Sequence, residues 1–281
     1  MGEASPQPAQ APVAPPVGGV TSASPGGTVS NRSIPTLRRE RALWRSGNTI
    51  VAGMDEVGRG AWAGPLTVGV AVIAAAARRA PTGLRDSKLL AEDRRESLFE
   101  PVAAWCAGWA VGDAVPEECD RFGMTVALRL AAGRALAALP AGLLPDVVIL
   151  DGNFDYVSDL AQGPGRPRGA GLAQGPGWPQ ALPPPLAGRV PVVHTVVGGD
   201  ASCTSVAAAS VLAKVTRDRM MRAHAHCYPP YDFDRNKGYP SPVHQTALHG
   251  YGLTAIHRRS WSYVRSLPWG PGGATTPSCA R

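Results

Sequence analysis

Three runs of β-forming residues in this chain each lead into acidic residues, and this pattern limits the fold more than any other feature. The first run leads into Asp55 and Glu56, the second into Asp151, and the third, through two glycines, into Asp200. Ligands gather at the carboxyl ends of strands in an open α/β sheet, so we expect the four carboxylates to meet there. Because all their donor atoms are oxygens, the sequence predicts a site for Mg²⁺ or Mn²⁺ rather than for zinc.

Each acid also has an ordinary explanation when it is taken alone. Asp55 and Glu56 could be a solvated pair at a turn, and Asp151 could be a turn signal. Asp200 could be a helix N-cap. Neighbouring residues on a regular strand point to opposite faces, so Asp55 and Glu56 serve one site only where the strand ends or bulges. The occurrence of all four acids after apolar runs favours a shared site.

Predicted strands and helices alternate along the chain, which indicates an α/β layer fold. The first two strands are joined by a glycine-rich link that is typical of a hairpin. We expect strands at 49–55, 66–74, 147–150 and 190–197, and helices at 36–44, 91–107, 124–139 and 202–226.

Composition predicts one folded domain over residues 36–267. Residues 1–35 are rich in Pro, Ala, Gly and Ser with almost no charge, which is typical of a disordered tail, and residues 268–281 form a second flexible tail. Residues 157–189 are rich in proline and glycine, and we interpret them as an inserted surface loop. The chain lacks both a secretory signal pattern and a run of ~18 apolar residues, so we expect a soluble cytoplasmic protein.

The formal net charge of the chain is +7. A basic surplus favours polyanions as partners but carries no information on specificity. Several of the positive charges lie between Leu37 and Arg45, outside the predicted site. A solvated basic surface therefore explains the charge as well as a nucleic-acid groove does.

The segment Gly58-Arg59-Gly60 directly follows the first pair of acids. Two glycines let the backbone approach a ligand closely, so that its N–H groups can bind phosphate or a sugar hydroxyl. Arg59 adds a charged fork that suits phosphate. A tight turn explains the glycines equally well, and only the acids before them favour a binding site. Acids beside basic, glycine-rich backbone indicate metal-assisted cleavage of a phosphodiester bond.

Two further residues are candidates for substrate binding. Lys214 lies on the predicted helix at 202–226, where pairing with Asp218 one turn later is the ordinary alternative. Tyr239 follows a Lys-Gly step, and an aromatic ring on such a loop suits stacking on a sugar or base. A buried structural tyrosine is the alternative for this position.

These segments, read in order, closely resemble ribonuclease HII, the type 2 ribonuclease H family, over about residues 48–265. The motifs that carry the resemblance are Asp-Glu-x-Gly-Arg-Gly at 55–60, Asp-Ser-Lys at 86–88, Asp-Gly at 151–152, Gly-Asp at 199–200, Ala-Ala-Ala-Ser-x-Leu-Ala-Lys-Val-Thr-Arg-Asp-Arg at 207–219, Lys-Gly-Tyr at 237–239 and His-Arg-Arg-Ser at 257–260. The resemblance implies a ribonuclease H-like fold with a mixed central sheet and a helical C-terminal part.

The resemblance also implies an endonuclease that cuts the RNA strand of RNA/DNA hybrids and incises 5′ to a single ribonucleotide embedded in duplex DNA. Such DNA and RNA/DNA hybrids are then the expected partners of a monomeric enzyme. The matching positions imply catalytic, metal-binding carboxylates at Asp55, Glu56, Asp151 and Asp200. They imply substrate contacts from Gly58, Arg59, Gly60, Lys214 and Tyr239, with the tyrosine stacking on the sugar beside the RNA–DNA junction.

A two-metal mechanism follows from these expectations. Two cations bridged by the carboxylates hold the scissile phosphate; one activates water and the other stabilises the departing 3′-oxygen. The products then carry 5′-phosphate and 3′-hydroxyl ends. Gly198 and Ser202 stand where many relatives carry lysine, which puts substrate affinity in doubt more than catalysis.

Two rival functions remain open. A ribonuclease HIII-like enzyme would cut hybrid tracts but handle single ribonucleotides poorly. The expected disorder of residues 1–35, in place of a folded substrate-binding domain, and the type 2 form of Gly58-Arg59-Gly60 argue against it. A catalytically silent hybrid-binding protein is the other rival, and the four intact acids argue against it. The tail at 268–281 lacks the Gln-x-x-Leu-x-x-aromatic pattern of a sliding-clamp ligand, so we expect no such tether.

Overall fold

The computed structural model describes residues 34–77, 79–162 and 189–267. The predicted N-terminal tail lies outside this part of the chain except for its last two positions. Residues 163–188 of the predicted inserted loop and the predicted tail at 268–281 also lie outside it.

Strands and helices alternate along the described residues, as the sequence predicts. The strands are β1 (Val51–Val57), β2 (Leu66–Ile73), β3 (Gly108–Ala114), β4 (Val147–Asp151) and β5 (Val192–Val196). The helices are α1 (Arg38–Arg45), α2 (Glu92–Trp105), α3 (Pro116–Ala137), α4 (Gly199–Ser202), α5 (Thr204–Cys227), α6 (Phe233–Asn236), α7 (Pro242–Tyr251) and α8 (Ser262–Arg265). Short 3₁₀ turns occur at Ser87–Leu89, Ser158–Gln162 and Pro229–Tyr231.

The strands form one mixed sheet in the order β3-β2-β1-β4-β5. β1 and β2 form the predicted antiparallel hairpin, and β3 pairs antiparallel with β2. β1, β4 and β5 run parallel, so their carboxyl ends lie at one edge of the sheet. The predicted α/β class and mixed sheet are confirmed.

The strand β3 is not among the strands expected from the sequence. Its one β-branched residue is Val111, and four of its seven residues are glycine or alanine, so its β propensity is low. A Cβ at Gly112 would lie 2.2 Å from the carbonyl oxygen of Ala131 in α3. Close packing of α3 on β3 therefore requires small residues. The same small residues lower the β propensity, so the sequence alone does not predict this strand.

The sheet is covered by helices on both faces. On one face, α3 packs on residues such as Met54 and Val68 to form the main hydrophobic core. On the other face, α2 and α5 pack together, with Phe99 and Val211 among the buried residues. None of the described helices is long and apolar enough to cross a membrane.

The helix α5 lies unusually close to the central strand β1. A Cβ at Gly53 would lie 2.1 Å from the carbonyl carbon of Ser205, so glycine is required at this crossing. The first turn of α5 is held by Glu40 of α1, which is fully buried. Its Oε1 accepts hydrogen bonds from the backbone N–H and the hydroxyl of Ser205, at 2.8 and 2.7 Å.

The chain from the 3₁₀ turn at Pro229–Tyr231 onward forms the predicted helical C-terminal part. Its core includes Tyr231, Phe233 and Leu248. At the start of the segment predicted as an inserted loop, Val157 and Leu160 are buried in the main core, so the packed chain extends at least to this point. The described residues resume at Arg189, which forms an ion pair with Asp146 at 2.7 Å.

Candidate active site

Three carboxylates meet at the edge where the parallel strands end. Asp55 lies near the end of β1, Asp151 is the last residue of β4, and Asp200 lies in α4, shortly after β5. Each contributes an oxygen atom, and these three atoms lie within 4.8 Å of one another. An all-oxygen donor set at this spacing fits a hard divalent cation such as Mg²⁺ or Mn²⁺.

Asp200 reaches this carboxylate cluster through a tight turn after β5. Gly198 has a φ of 67°, in the left-handed region that favours glycine. The next N–H, of Gly199, donates to Asp151 Oδ1 at 2.7 Å, so the turn that positions Asp200 also fixes Asp151. Ser202 Oγ donates to the carbonyl oxygen of Gly198 at 3.0 Å. The resemblance implies lysine at positions 198 and 202. In this chain, Gly198 and Ser202 instead form and stabilise the turn.

Glu56 lies beside the cluster but is not one of its three converging carboxylates. Its Oε2 accepts a hydrogen bond from the hydroxyl of Tyr156 at 3.3 Å. Its Oε1 lies 3.5 Å from the guanidinium of Arg59. Burial raises the pKa of Glu56, and the charge of Arg59 offsets only part of that effect.

The pKa of Asp55 is strongly perturbed. Burial raises it to about 8; a hydrogen bond from Ser210 opposes this effect, and the negative charges of Asp151 and Glu56 add to it. In the absence of metal, the carboxyl group of Asp55 therefore keeps its proton at neutral pH. A bound cation has to displace that proton.

Lys88 brings a positive charge to the cluster. Its Nζ lies 3.2 Å from Oδ2 of Asp200. Burial lowers the pKa of Lys88, but the charges of Asp55 and Asp200 outweigh burial and raise it. The motif at 86–88 contains Lys88, but the sequence alone indicates no role for it because 112 positions separate it from Asp200.

Two further residues that the sequence prediction missed support the carboxylates. Ser210 of α5 hydrogen-bonds with Asp55, and its Oγ lies 2.8 Å from Oγ of Ser87. Tyr156 is buried and donates to Glu56. The serine belongs to the 207–219 motif of the resemblance, whereas the tyrosine follows the Asp-Gly at 151–152 with no signal of its own.

A cleft of about 250 Å³ opens beside the carboxylates. It is lined by Asp55, Glu56, Val57, Gly58, Arg59, Gly60, Ser87, Lys88, Ser210, Lys214 and Tyr239. The structure thus brings all the predicted substrate-binding residues to one cleft, together with two of the predicted metal ligands. A larger cavity of about 900 Å³, next to Phe154 and Trp261, contains none of the four predicted metal ligands. The smaller cleft is therefore the candidate active site, because it contains the acidic and substrate-binding residues.

Tyr239 forms one wall of the cleft. Its hydroxyl oxygen accepts a hydrogen bond from the Gly58 N–H at 3.0 Å. Its ring centroid lies 5.3 Å from the guanidinium carbon of Arg217 and 5.7 Å from Lys214 Nζ. Lys214 also forms an ion pair with Asp218, at 2.5 Å. It therefore both pairs with Asp218, as the ordinary alternative predicts, and lines the cleft.

A model of the ribonuclease HII family matches residues 52–154 and 172–264. The chain belongs to the ribonuclease HII family. Ribonuclease HII of Streptomyces avermitilis is 47% identical over 235 residues, which cover 83% of this chain and 86% of that relative. Ribonuclease HII of Thermus thermophilus is 40% identical over 232 residues, which cover 82% and 94%.

Similarity to a solved structure agrees with the family assignment. The crystal structure of ribonuclease H2 from Pyrococcus horikoshii OT3 matches with a TM-score of 0.60 and 29% identity, and the match covers 77% of this chain and 95% of that one. The ribonuclease H-like fold is thereby confirmed. Membership of the ribonuclease HII family implies a divalent-metal-dependent endoribonuclease that acts on RNA/DNA hybrids.

Proposed function

We propose that this ribonuclease HII also incises duplex DNA on the 5′ side of a single embedded ribonucleotide. The supporting observation is that Gly58, Gly60 and Tyr239 line one cleft with Asp55, which belongs to the carboxylate cluster. Backbone N–H groups can bind a 2′-hydroxyl, which is the group that distinguishes RNA from DNA. An aromatic wall suits stacking on the neighbouring sugar or base.

The proposed ligands for Mg²⁺ or Mn²⁺ are Asp55, Asp151 and Asp200, with Glu56 beside them. Two bound cations would supply Lewis acidity for the attack of water and the departure of the 3′-oxygen, leaving 5′-phosphate and 3′-hydroxyl ends. The protein itself contributes a fixed set of oxygen donors. At Asp55 it also contributes a proton that leaves when a cation binds.

Two exposed cations reduce the negative charge that a phosphodiester meets at the cleft. The side chain of Lys88 is 68% exposed and that of Arg59 is 57% exposed, although each contacts an acid of the site. Without these cations, the negative charges of the acidic residues would repel a phosphodiester. We propose that Lys88 and Arg59 attract the nucleic-acid backbone, while Lys214, paired with Asp218, supports the field from deeper in the cleft.

Three expectations from the sequence stay predictions. These are the cytoplasmic location, the monomeric state, and the lack of a sliding-clamp tether at 268–281, which lies outside the described residues.

The decisive experiment uses a labelled DNA duplex with one embedded ribonucleotide, incubated with Mg²⁺, Mn²⁺ or EDTA. We expect metal-dependent incision on the 5′ side of the ribonucleotide, and no incision by Asp55→Asn. A long hybrid serves as the matched substrate. Cutting of the hybrid alone would favour the ribonuclease HIII-like rival, and no cutting of either would favour a binding protein.

A further inference from the structure

The loop that carries Tyr239 has a backbone conformation that needs support. Lys237 has a φ of 53° and Gly238 a φ of 81°, so both residues before Tyr239 lie in the left-handed region. That region is unfavourable for lysine. Arg217 Nη1 donates to the carbonyl oxygen of Lys237 at 2.9 Å, and the N–H of Trp62 donates to that of Gly238 at 2.8 Å. The carbonyl oxygen of Tyr239 is held by a histidine side chain, His244.

Two buried histidines stand behind that carbonyl group. His244 Nδ1 lies 3.0 Å from the carbonyl oxygen of Tyr239, and His244 Nε2 lies 2.9 Å from His257 Nε2. At the other end, the backbone N–H of Thr254 donates to His257 Nδ1 at 2.9 Å, and the hydroxyl oxygen of Thr254 lies 2.7 Å from the same nitrogen. A continuous chain of hydrogen bonds, which we call the histidine relay, therefore runs from Thr254 through both rings to Tyr239.

The ends of the histidine relay determine where its protons lie. A backbone N–H can only donate, so Nδ1 of His257 accepts and its proton lies on Nε2. That Nε2–H donates to Nε2 of His244, whose own proton therefore lies on Nδ1 and is donated to the carbonyl oxygen of Tyr239. A charged ring at either position would place two N–H donors face to face, so both rings stay neutral.

Packing fixes the orientation of both rings. The ring centroid of His244 lies 5.3 Å from that of Phe233 and 5.4 Å from that of Trp62. The centroid of His257 lies 5.1 Å from that of Tyr231. Both histidines are almost completely buried, and burial lowers the pKa of each. The core of the C-terminal part therefore holds the relay in one arrangement.

We propose that His244 and His257 are positioning residues that fix Tyr239 from its carbonyl side and thereby set the preference for a single ribonucleotide over a long hybrid. The hydroxyl end of Tyr239 is already held by Gly58. With both ends held, the ring faces the cleft in one orientation. Neither histidine lines the cleft, so both act through Tyr239. This inference rests on the proposed junction-sensing role of Tyr239.

Two substitutions of His244 separate its two hydrogen bonds. In His244→Asn, the amide nitrogen takes the place of Nδ1 and keeps the donor to Tyr239, but the contact with His257 is lost. In His244→Gln, the amide oxygen takes the place of Nε2 and keeps the acceptor for His257, but the donor to Tyr239 is lost. The two variants therefore distinguish the effect of the hydrogen bond to Tyr239 from the effect of the hydrogen bond to His257.

The measurement is the ratio of kcat/KM on the single-ribonucleotide duplex to kcat/KM on a long hybrid. We expect His244→Gln to lower this ratio by about three- to tenfold, the value of one neutral hydrogen bond, and His244→Asn to keep most of it. Mn²⁺ binding, measured by calorimetry, should stay unchanged in both variants. Thermal unfolding checks that each variant is folded.

An unchanged ratio in His244→Gln, or an equal loss on both substrates, would overturn the relay. If Tyr239→Ala lowers the ratio while His244→Gln does not, the tyrosine senses the junction without the relay. If the wild-type enzyme fails to incise the single-ribonucleotide duplex, the proposed function itself fails. Should His244→Gln not fold, His244→Met removes the same donor to the carbonyl oxygen of Tyr239 with an apolar side chain; a wild-type ratio there would equally contradict the proposal.

Discussion

Replacement of Asp55 by Asn is expected to stabilise the metal-free protein while abolishing its nuclease activity. Asp55 is buried, and burial raises its pKa from 3.8 to about 8. The folded protein therefore prefers the neutral carboxyl group, whereas the unfolded chain prefers the carboxylate. Asn has nearly the shape of the neutral carboxyl group and cannot ionise, so it removes both the cost of burying a charge and the proposed metal ligand.

The sign and size of the effect follow from linkage between proton binding and folding. The folded state holds a proton that the unfolded state releases, so stability is highest below the unfolded pKa and falls as the pH rises toward the folded pKa. A pH of 7 is about three units above the pKa of Asp55 in the unfolded chain. This difference corresponds to a loss of unfolding free energy of at most about 4 kcal/mol. Water penetration and local relaxation reduce such penalties, so we expect about half of that value.

Thermal unfolding measures the difference directly. For a domain of this size, about 2 kcal/mol corresponds to a rise in Tm of about 4–8 °C. We expect that rise for Asp55→Asn in EDTA at pH 7. The rise should be smaller at pH 5, because that pH is only about one unit above the pKa of Asp55 in the unfolded chain. Mn²⁺ should raise the Tm of the wild type but not that of the variant.

The matched control is Asp93→Asn, which makes the same chemical change at an exposed position in α2. We expect this control to show no comparable rise in Tm. An Asp55→Asn variant that melts at or below the wild-type temperature in EDTA at pH 7 would refute the reasoning. A gap that does not narrow at pH 5 would also refute it, because the gain would then not come from ionisation.

Three further outcomes test other parts of the structure. Because bound metal must displace the proton of Asp55, the apparent affinity for Mn²⁺ should rise with pH up to about 8 with proton release; calorimetry in buffers of different ionisation enthalpy measures this, and pH-independent affinity would contradict it. Tyr239→Ala should lose more kcat/KM on a single-ribonucleotide duplex than on a long hybrid, and equal losses would count against junction sensing. Gly53→Ala should lose about 3 kcal/mol or more of unfolding free energy, because its Cβ would overlap the backbone of Ser205, whereas Gly250→Ala has open space and should be neutral or stabilising. Denaturant unfolding compares the two glycine variants, and wild-type stability of Gly53→Ala would show that α5 can shift.

The sequence predicts the part of the site that is encoded locally. Asp55, Asp151 and Asp200 each follow an apolar run that ends at the sheet edge, so strand propensity and parallel pairing are enough to bring them together. Gly58 and Tyr239 are recognised through the resemblance, and the structure places them at one cleft. Their roles in binding substrate stay predictions.

Contacts between distant segments explain what the sequence does not predict. Lys88 meets Asp200 because the 3₁₀ turn at Ser87–Leu89 packs against α5, where Ser87 Oγ lies 2.8 Å from Ser210 Oγ. The strand β3 is stabilised by its pairing with β2 and by α3, against its low propensity. The pairing of His244 with His257 depends on the packing of the C-terminal core. Each depends on tertiary packing, which local propensity does not contain.

The helix α5 sets a fixed spacing between the carboxylate cluster and the loop that carries Tyr239. It contacts Glu40 through Ser205, Asp55 through Ser210, and the backbone before Tyr239 through Arg217. Deletion of one residue between Ser210 and Arg217 would turn everything beyond it by about 100° and shorten the helix by about 1.5 Å. Such a change would disconnect recognition from hydrolysis without removing any functional group. In the proposed function, the pitch of this one helix thus sets the offset between the sugar at Tyr239 and the bond that is cut.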